Sequence, residues 1–149
     1  MRREETAPPA LVLAEALSWI GTPYRHQASR KGVGCDCLGL VRGVWKGLYG
    51  EEPERPGPYT MDWAEASGED RLLEAAERHF IALGRDDLGP GTVVLFRWRV
   101  HSPAKHVGIL ADKNSFIHAY EGRGVLVSAL VPHWRRRIAG IFAFPALTE

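Results

Sequence analysis

The sequence predicts a single α+β domain in which N-terminal helices pack on a C-terminal antiparallel β-sheet. Its 149 residues suffice for one hydrophobic core without disulfide or metal staples. Apolar residues make up 45% of the chain and charged residues 25%, as is typical of globular proteins. Apolar residues recur at helical spacing in the first half, whereas short β-branched and aromatic runs follow residue 89. Helices followed by strands indicate the α+β class.

The first predicted element is a helix over residues 10–20. Pro8 and Pro9 precede its core, its apolar residues mostly follow a 3.6-residue period, and Gly21 supplies a stop. Residues 22–34 then combine glycine and proline with polar residues, which is typical of a long ordered loop. Loops of this length in a compact domain often carry function.

A second helix is predicted to follow the loop. Asp36 has a suitable side chain to cap it, its apolar residues form one stripe, and it ends near Gly47 or Gly50. Cys37 therefore lies in the first helical turn and faces inward. Cys35 lies before the cap, outside the helix.

The rest of the chain is predicted to hold a surface excursion, a further helix and then the sheet. Residues 51–58 carry three prolines among charges, and residues 70–83 have an apolar helical face. We therefore predict an extended surface excursion followed by a helix, both within one domain spanning 1–149. Five later runs have strand character: 92–98, 107–111, 115–120, 125–130 and 138–144.

Charge and cysteine content exclude several functional classes. Nineteen Lys and Arg residues against eighteen Asp and Glu leave a formal charge of +1, so no long-range field favours nucleic acid. The apolar stretch at 10–20 contains a glutamate and is too short to span a bilayer. Two cysteines one residue apart exclude a disulfide framework. We expect no nucleic-acid partner, signal peptide or membrane insertion.

Cys37 is the candidate nucleophile. At the start of a helix, the dipole and free N–H groups stabilise a thiolate and lower the thiol pKa from about 8.5. A thiolate still needs a base. Of the six histidines, His106 and His118 lie in consecutive apolar strands, where a buried imidazole requires a partner. We expect a relay in which one histidine orients the other.

Strand geometry limits how these histidines can meet. Side chains alternate between the faces of a strand, so a two-residue turn at Lys113 and Asn114 would place the histidines on opposite faces. We therefore predict a three-residue turn or a bulge between the strands, with His106 and His118 directly opposite or diagonal.

Five segments resemble, in the same order, motifs of the NlpC family of papain-like cell-wall cysteine peptidases. They are WIGTPYR at 19–25, DCLGLV at 36–41, PGTVVLF at 90–96, HVGIL at 106–110 and FIHA at 116–119. Residues 34–45, GCDCLGLVRGVW, are more similar to the branch found as phage-like or gene-transfer-agent tail-associated peptidases. The resemblance implies a papain-like, NlpC-type fold.

The resemblance also implies roles for individual residues. Cys37 is the nucleophile, His106 is the general base and later the acid, and His118 orients His106. Tyr24 and Asp36 belong to the oxyanion and substrate-binding group, with the backbone N–H of Cys37 as a further donor. The family cleaves peptidoglycan stem peptides, typically at the γ-D-glutamyl to diamino acid bond, through a thioester. It requires no metal or cofactor.

The chain departs from the family pattern at two motif positions. Leu38 stands where a serine that helps to bind a free substrate amine is common, and Thr92 replaces a common aspartate. The tail-associated likeness implies a protein made in the cytoplasm and carried on a phage-like particle to the periplasm or cell wall. Tail or tail-tip proteins are then expected partners. The span from Cys37 to His106 is longer than in compact members of the family, so the resemblance implies an insertion over 51–83, which would be a docking surface or a substrate wall.

Other interpretations of the same residues remain open. Cys37 could be a small buried hydrophobe and His118 a core histidine. Cys35, Cys37, His106 and His118 could form a tetrahedral zinc site, although C-x-C with H-x11-H is not a usual zinc spacing. The functional alternatives are a non-catalytic tail-tip module with the same fold and a papain-like acyltransferase that uses an acceptor other than water.

Overall fold

A computed structural model describes residues 5–54 and 70–147. The helices are α1 (Pro9–Leu17), α2 (Cys37–Tyr49), α3 (Arg71–His79) and α4 (Pro132–Arg135). The strands are β1 (Ser29–Arg30), β2 (Gly34–Cys35), β3 (Ile81–Ala82), β4 (Val93–Phe96), β5 (His106–Asp112), β6 (Ser115–Tyr120), β7 (Gly124–Ala129) and β8 (Ile138–Ala143). A short 3-10 helix covers Arg85–Asp87. The predicted α+β class is confirmed.

Six strands form one antiparallel sheet, in the order β3-β8-β4-β5-β6-β7. β1 and β2 form a separate two-stranded sheet, which begins within the predicted loop over 22–34 and ends one residue after it. In the main sheet β5 and β6 are neighbours, so the histidines of the two predicted strands lie close together. β7 forms one edge of the sheet, next to β6.

Two hydrophobic cores lie on opposite faces of the sheet. The main core joins α1 and α2 to the sheet, with Val12, Ala16, Leu40 and Val44 buried against the strands. The second core is smaller and consists of Val94, Phe96, Leu110, Phe116 and Leu130, against which Trp134 of α4 packs. The sequence analysis predicted that helices pack on the sheet, but it did not predict the second core on the opposite face.

Helix α2 approaches its neighbours closely through glycines on one face. Gly39 and Gly43 are four residues apart and therefore lie on the same side of the helix. An added Cβ at Gly39 would lie 1.8 Å from the carbonyl oxygen of Ala28, and one at Gly43 would lie 2.1 Å from the Trp19 ring. These contacts hold the preceding loop against the start of α2, where Cys37 lies.

We expect Gly39→Ala to destabilise the domain by about 2–3 kcal/mol, because the backbone of Ala28 cannot yield to the added methyl group. Gly47→Ala is the matched control, since its methyl group meets only the end of the flexible Glu15 side chain. Helix propensity favours alanine at both positions by up to about 1 kcal/mol. Urea unfolding measures the difference, and equal midpoints would contradict the close packing at Gly39.

The predicted helix over 70–83 ends earlier than expected. Asp70 caps α3, which ends at His79, and Phe80 adopts an extended backbone. Phe80 then packs edge-on against Trp45 at 5.3 Å between ring centroids, and the next two residues form β3 beside β8. The tertiary contacts of Phe80 thus outweigh the helical pattern. The first helix also ends early, at residue 17 rather than 20.

Helix α3 belongs to the main core. Leu72 and Ala76 are buried there, and the Asp70 carboxylate accepts a hydrogen bond from the backbone N–H of Ala104 at 3.0 Å. This part of the predicted insertion is therefore not an appendage, while residues 55–69 lie outside the described residues. Within the described ranges, no helix has the length and apolar character needed to cross a bilayer.

Candidate active site

Asp36 fixes the beginning of α2. Its Oδ1 accepts a hydrogen bond from the backbone N–H of Gly39 at 2.7 Å, which is N-cap geometry. Its Oδ2 accepts one from the backbone N–H of Gln27 at 2.7 Å and so ties the preceding loop to the helix. The predicted cap is confirmed, and Cys37 is the first residue of α2.

The oxyanion role expected for Asp36 does not fit its surroundings. An ionised carboxylate only accepts hydrogen bonds, whereas an oxyanion needs donors. Asp36 is 3% exposed, and its charge raises the pKa of both Cys37 and Tyr24. Asp36 therefore positions the candidate nucleophile and does not stabilise negative charge.

The Cys37 thiol lies in a setting that keeps it protonated. Its pKa is raised to about 12, first by burial and then by the charge of Asp36. The backbone N–H groups of Val107, Leu38 and Cys37 itself act in the opposite direction. The sequence predicted a lowered pKa, but burial outweighs these N–H groups. The resting nucleophile is thus a neutral thiol that needs a base during attack.

The contact with Val107 places the thiol beside the strand end that carries His106, the first residue of β5. Backbone N–H groups alternate between the two sides of a strand in an antiparallel ladder. Leu110 donates toward the β4 side, so the N–H of Val107 points toward β6. β5 pairs with β6 from Ile109 onward. Val107 precedes this paired stretch, and its backbone N–H faces the Cys37 thiol.

A line of hydrogen bonds links His106 to two further strands. His106 Nε2 lies 2.8 Å from His118 Nδ1, and His118 Nε2 lies 2.7 Å from Ser128 Oγ. A bulge between Leu110 and Asp112 shifts the register of β5 against β6, which places the histidines diagonally on one face. The predicted bulge and diagonal arrangement are confirmed. Ser128 was missed, because a serine in an alternating strand carries no distinctive signal.

Burial keeps both imidazoles neutral. His106 is 6% exposed and His118 is 1% exposed. Burial, with a smaller effect of the His118 charge, lowers the pKa of His106 to about 3, and burial lowers the pKa of His118 to about 4. Each neutral ring has one N–H and one lone pair. Because His106 uses Nε2 toward His118, its Nδ1 is the nitrogen that can receive a thiol proton.

Gly108 leaves room for the paired histidines. It lies next to Ile109, which pairs with Ile117, so Gly108 is close to His118, the residue after Ile117. An added Cβ would lie 2.8 Å from Cδ2 of Phe116 and 3.3 Å from Cβ of His118. A larger residue would therefore push the His118 ring away from His106.

Aromatic rings cover His106 on the second-core side. The Trp98 ring stacks on it with 5.7 Å between centroids and 24° between planes, and Trp134 lies 5.6 Å away. Trp98 is itself 37% exposed, so it separates His106 from solvent. These two tryptophans thus form part of the wall around the base.

Trp98→Ala is expected to raise the pKa of His106 from about 3 toward the ordinary value of about 6.5, since water then reaches the ring. In the parent protein the unfolded chain binds protons that the folded histidines do not, so stability falls as the pH drops from about 6.5 toward 3. The variant should lose less stability over this range. NMR titration of the imidazole measures the shift, with the exposed Val100→Ala as a control that should leave it unchanged.

Tyr24 lies beside the candidate nucleophile. It forms an isolated parallel bridge with Cys35, two residues before Cys37. Burial raises the pKa of its phenol, and Cys37 in its ionised form, Asp36 and Glu121 act in the same direction. The hydroxyl therefore stays protonated near neutral pH, and a protonated phenol can donate to a developing oxyanion.

Cys35 differs from Cys37 in burial and position. It lies on β2, is 0% exposed in the main core, and has a pKa raised to about 12 by burial and by Asp36. Across residues 5–54 and 70–147, no group of three or more His, Cys, Asp or Glu side chains is placed to hold a metal ion. The hydrogen bonds of His106, His118 and Ser128 also occupy ring nitrogens that the alternative zinc site would use.

Comparisons with known proteins give three kinds of match. The model of the NlpC/P60 family matches residues 21–142. The chain is 28% identical over 127 residues to the Escherichia coli (strain K12) murein DD-endopeptidase MepS/murein LD-carboxypeptidase, covering 85% of this chain and 57% of that protein. It is 30% identical over 141 residues to the γ-DL-glutamyl hydrolase of Bacillus subtilis (strain 168), covering 92% of this chain and 30% of that protein. The chain thus spans about half or less of these curated relatives.

The third match is to a solved structure, the NlpC/p60 domain of the peptidoglycan hydrolase SagA. The TM-score is 0.61 at 24% identity, and the match covers 93% of this chain and 100% of that chain. This likeness concerns the fold, and the predicted papain-like arrangement of helices on an antiparallel sheet is confirmed. The family match extends from the loop before α2 into β8, well over half of the sequence, and the chain therefore belongs to the NlpC/P60 family.

Proposed function

We propose that the chain is a cysteine peptidase that hydrolyses amide bonds in peptidoglycan stem peptides through a thioester on Cys37. The observation that carries this proposal is the thiol at the start of α2, facing the Val107 amide next to the buried pair of His106 and His118. The name of one relative, a murein DD-endopeptidase, supports the substrate class, and the name of another, a γ-DL-glutamyl hydrolase, supports hydrolysis of a glutamyl amide bond.

In the acylation step, the sulfur of Cys37 attacks the carbonyl carbon while Nδ1 of His106 takes the thiol proton. The resulting oxyanion is met by the backbone N–H of Cys37 and by the Tyr24 hydroxyl. The intermediate then collapses to a thioester. His106 returns its proton to the leaving nitrogen, which departs as an amine.

In the deacylation step, Nδ1 of His106 takes a proton from water as its oxygen attacks the thioester. The carbon–sulfur bond breaks, and the proton returns to the sulfur of Cys37. The acyl group leaves as a carboxylic acid. His118 accepts a hydrogen bond from Nε2 of His106 whenever His106 carries the additional proton, so the charge is stabilised within a buried site.

The bond that we propose as the main target joins the γ-carboxyl of D-glutamate to the diamino acid. The name of the Bacillus relative supports a γ-glutamyl bond, whereas the name of the Escherichia relative supports a D,D bond. Leu38 supplies no hydroxyl for a free substrate amine. We therefore expect stem peptides with a blocked N-terminus to be cleaved as well as trimmed ones.

The test is to incubate the protein with purified peptidoglycan fragments and identify the products by mass spectrometry. Cleavage after γ-D-glutamate, lost in Cys37→Ala, is the expected result. Cleavage only between cross-linked D-amino acids would show that the enzyme hydrolyses that bond and not the proposed one. Transfer of the acyl group to an added amine without hydrolysis would identify an acyltransferase, and no turnover with an intact fold would support a non-catalytic module.

We further propose that the protein is made in the cytoplasm and carried by a phage-like tail to the periplasm or cell wall. The support is the likeness of residues 34–45 to tail-associated peptidases. Proteomic analysis of purified particles should find the chain together with tail or tail-tip proteins. Its absence from particles and presence in the wall fraction would contradict this route.

A further inference from the structure

The imidazole of His118 has a second polar partner on the edge strand β7. We propose that Ser128 is a positioning residue, which accepts a hydrogen bond from His118 so that His118 can accept one from His106. This inference rests on the proposed function, because it assigns Ser128 to the same proton-transfer site. Ser128 itself does not contact the Cys37 sulfur in this mechanism.

The three side chains lie on one face of three neighbouring strands. Ser128 pairs with Phe116, and His118 pairs with Leu126, so Ser128 is diagonal to His118. On β5, the other neighbour of β6, His106 is in turn diagonal to His118. The distances are 2.8 Å between the two imidazoles and 2.7 Å from His118 Nε2 to Ser128 Oγ.

Proton counting defines the direction of each hydrogen bond. His106 must present a lone pair at Nδ1 to the thiol, so its Nε2 carries the hydrogen and donates to His118 Nδ1. His118 then carries its hydrogen on Nε2 and donates it to Ser128 Oγ. The opposite arrangement would protonate His106 Nδ1 and leave it unable to accept the thiol proton.

The need for His118 to accept a hydrogen bond at Nδ1 and donate one from Nε2 becomes stronger when His106 is an imidazolium. Both of its nitrogens then carry hydrogens, and His118 must offer a lone pair at Nδ1. His118 is 1% exposed, so its Nε2–H depends on a protein acceptor, and Ser128 Oγ is in place. Without that oxygen, a buried N–H loses its partner at the moment when charge develops.

The first measurement compares Ser128→Ala with Ser128→Thr, which retains the hydroxyl, and with the control Val127→Ala on the exposed side of β7. We expect kcat to fall about tenfold in Ser128→Ala, with KM unchanged. Ser128→Thr should restore most of the loss, and Val127→Ala should resemble the parent. A Ser128→Thr variant that is folded and no better than Ser128→Ala would overturn the inference.

The second measurement does not depend on hydrolysis. Nitrogen-15 NMR should show His118 protonated at Nε2 in the parent and a mixture of tautomers in Ser128→Ala, with a parallel drop in the rate of Cys37 alkylation by iodoacetamide at pH 7. Unchanged tautomers and alkylation would overturn the inference. If the parent hydrolyses no stem peptide but these two changes occur, the proposed function fails and the role of Ser128 stands.

A third variant pair tests whether Ser128 acts through His118. In a His118→Asn background, Ser128→Ala should cause no further loss of kcat, because the linking imidazole is absent. A full additional tenfold loss in that background would show that Ser128 acts by another route and would overturn the inference.

Discussion

Cys37→Ala is expected to lower the rate of stem-peptide hydrolysis by at least about four orders of magnitude, because it removes the atom that forms the thioester. The free energy of unfolding should change by less than about 1 kcal/mol, since the substitution deletes one sulfur from a half-buried side chain. Product formation followed by mass spectrometry measures the first effect, and urea unfolding measures the second.

Cys35→Ala is the matched control for this prediction. It also removes one sulfur, but from the fully buried core position two residues earlier. We expect hydrolysis close to that of the parent and a loss of stability of about 1–2 kcal/mol. The reverse pattern, with an inactive Cys35→Ala and an active Cys37→Ala, would move the nucleophile to Cys35.

The relation between the two histidines could be derived from the sequence because strand side chains alternate strictly. A two-residue turn would have separated them, and the bulge between Leu110 and Asp112 brings them to one face. The position of Cys37 at the start of α2 was predictable for a similar reason, since Asp36 is a strong capping residue. Both features follow from local geometry.

Features that depend on tertiary packing were not predicted. The pKa of the Cys37 thiol is raised, whereas the sequence predicted a lowered one, because the burial of Cys37 depends on how α2 packs against β5. Trp98 belongs to the run over 92–98 that was predicted as a strand, but β4 ends at Phe96, and the Trp98 ring stacks on His106. Ser128 gains its role only from the register of β6 and β7. A residue of ordinary type becomes informative once its neighbours are known.

His106→Ala is expected to reduce hydrolysis about as severely as Cys37→Ala, because the neutral thiol then has no imidazole to receive its proton. His118→Asn should be milder, with a loss of about 10- to 100-fold. The asparagine oxygen can still accept from His106, and the change weakens one hydrogen bond to a charged group. Hydrolysis rates of both variants and of the parent provide the measurement.

The difference between the two variants follows from their places in the hydrogen-bond line. His106 holds the transferred proton, whereas His118 acts on His106 through the 2.8 Å contact between His106 Nε2 and His118 Nδ1. The thiol pKa near 12 increases the contrast, since spontaneous ionisation of Cys37 cannot compensate for a missing base. If folded His106→Ala and His118→Asn proteins tolerated the changes equally, the relay would be wrong, and Cys37 would require a different base.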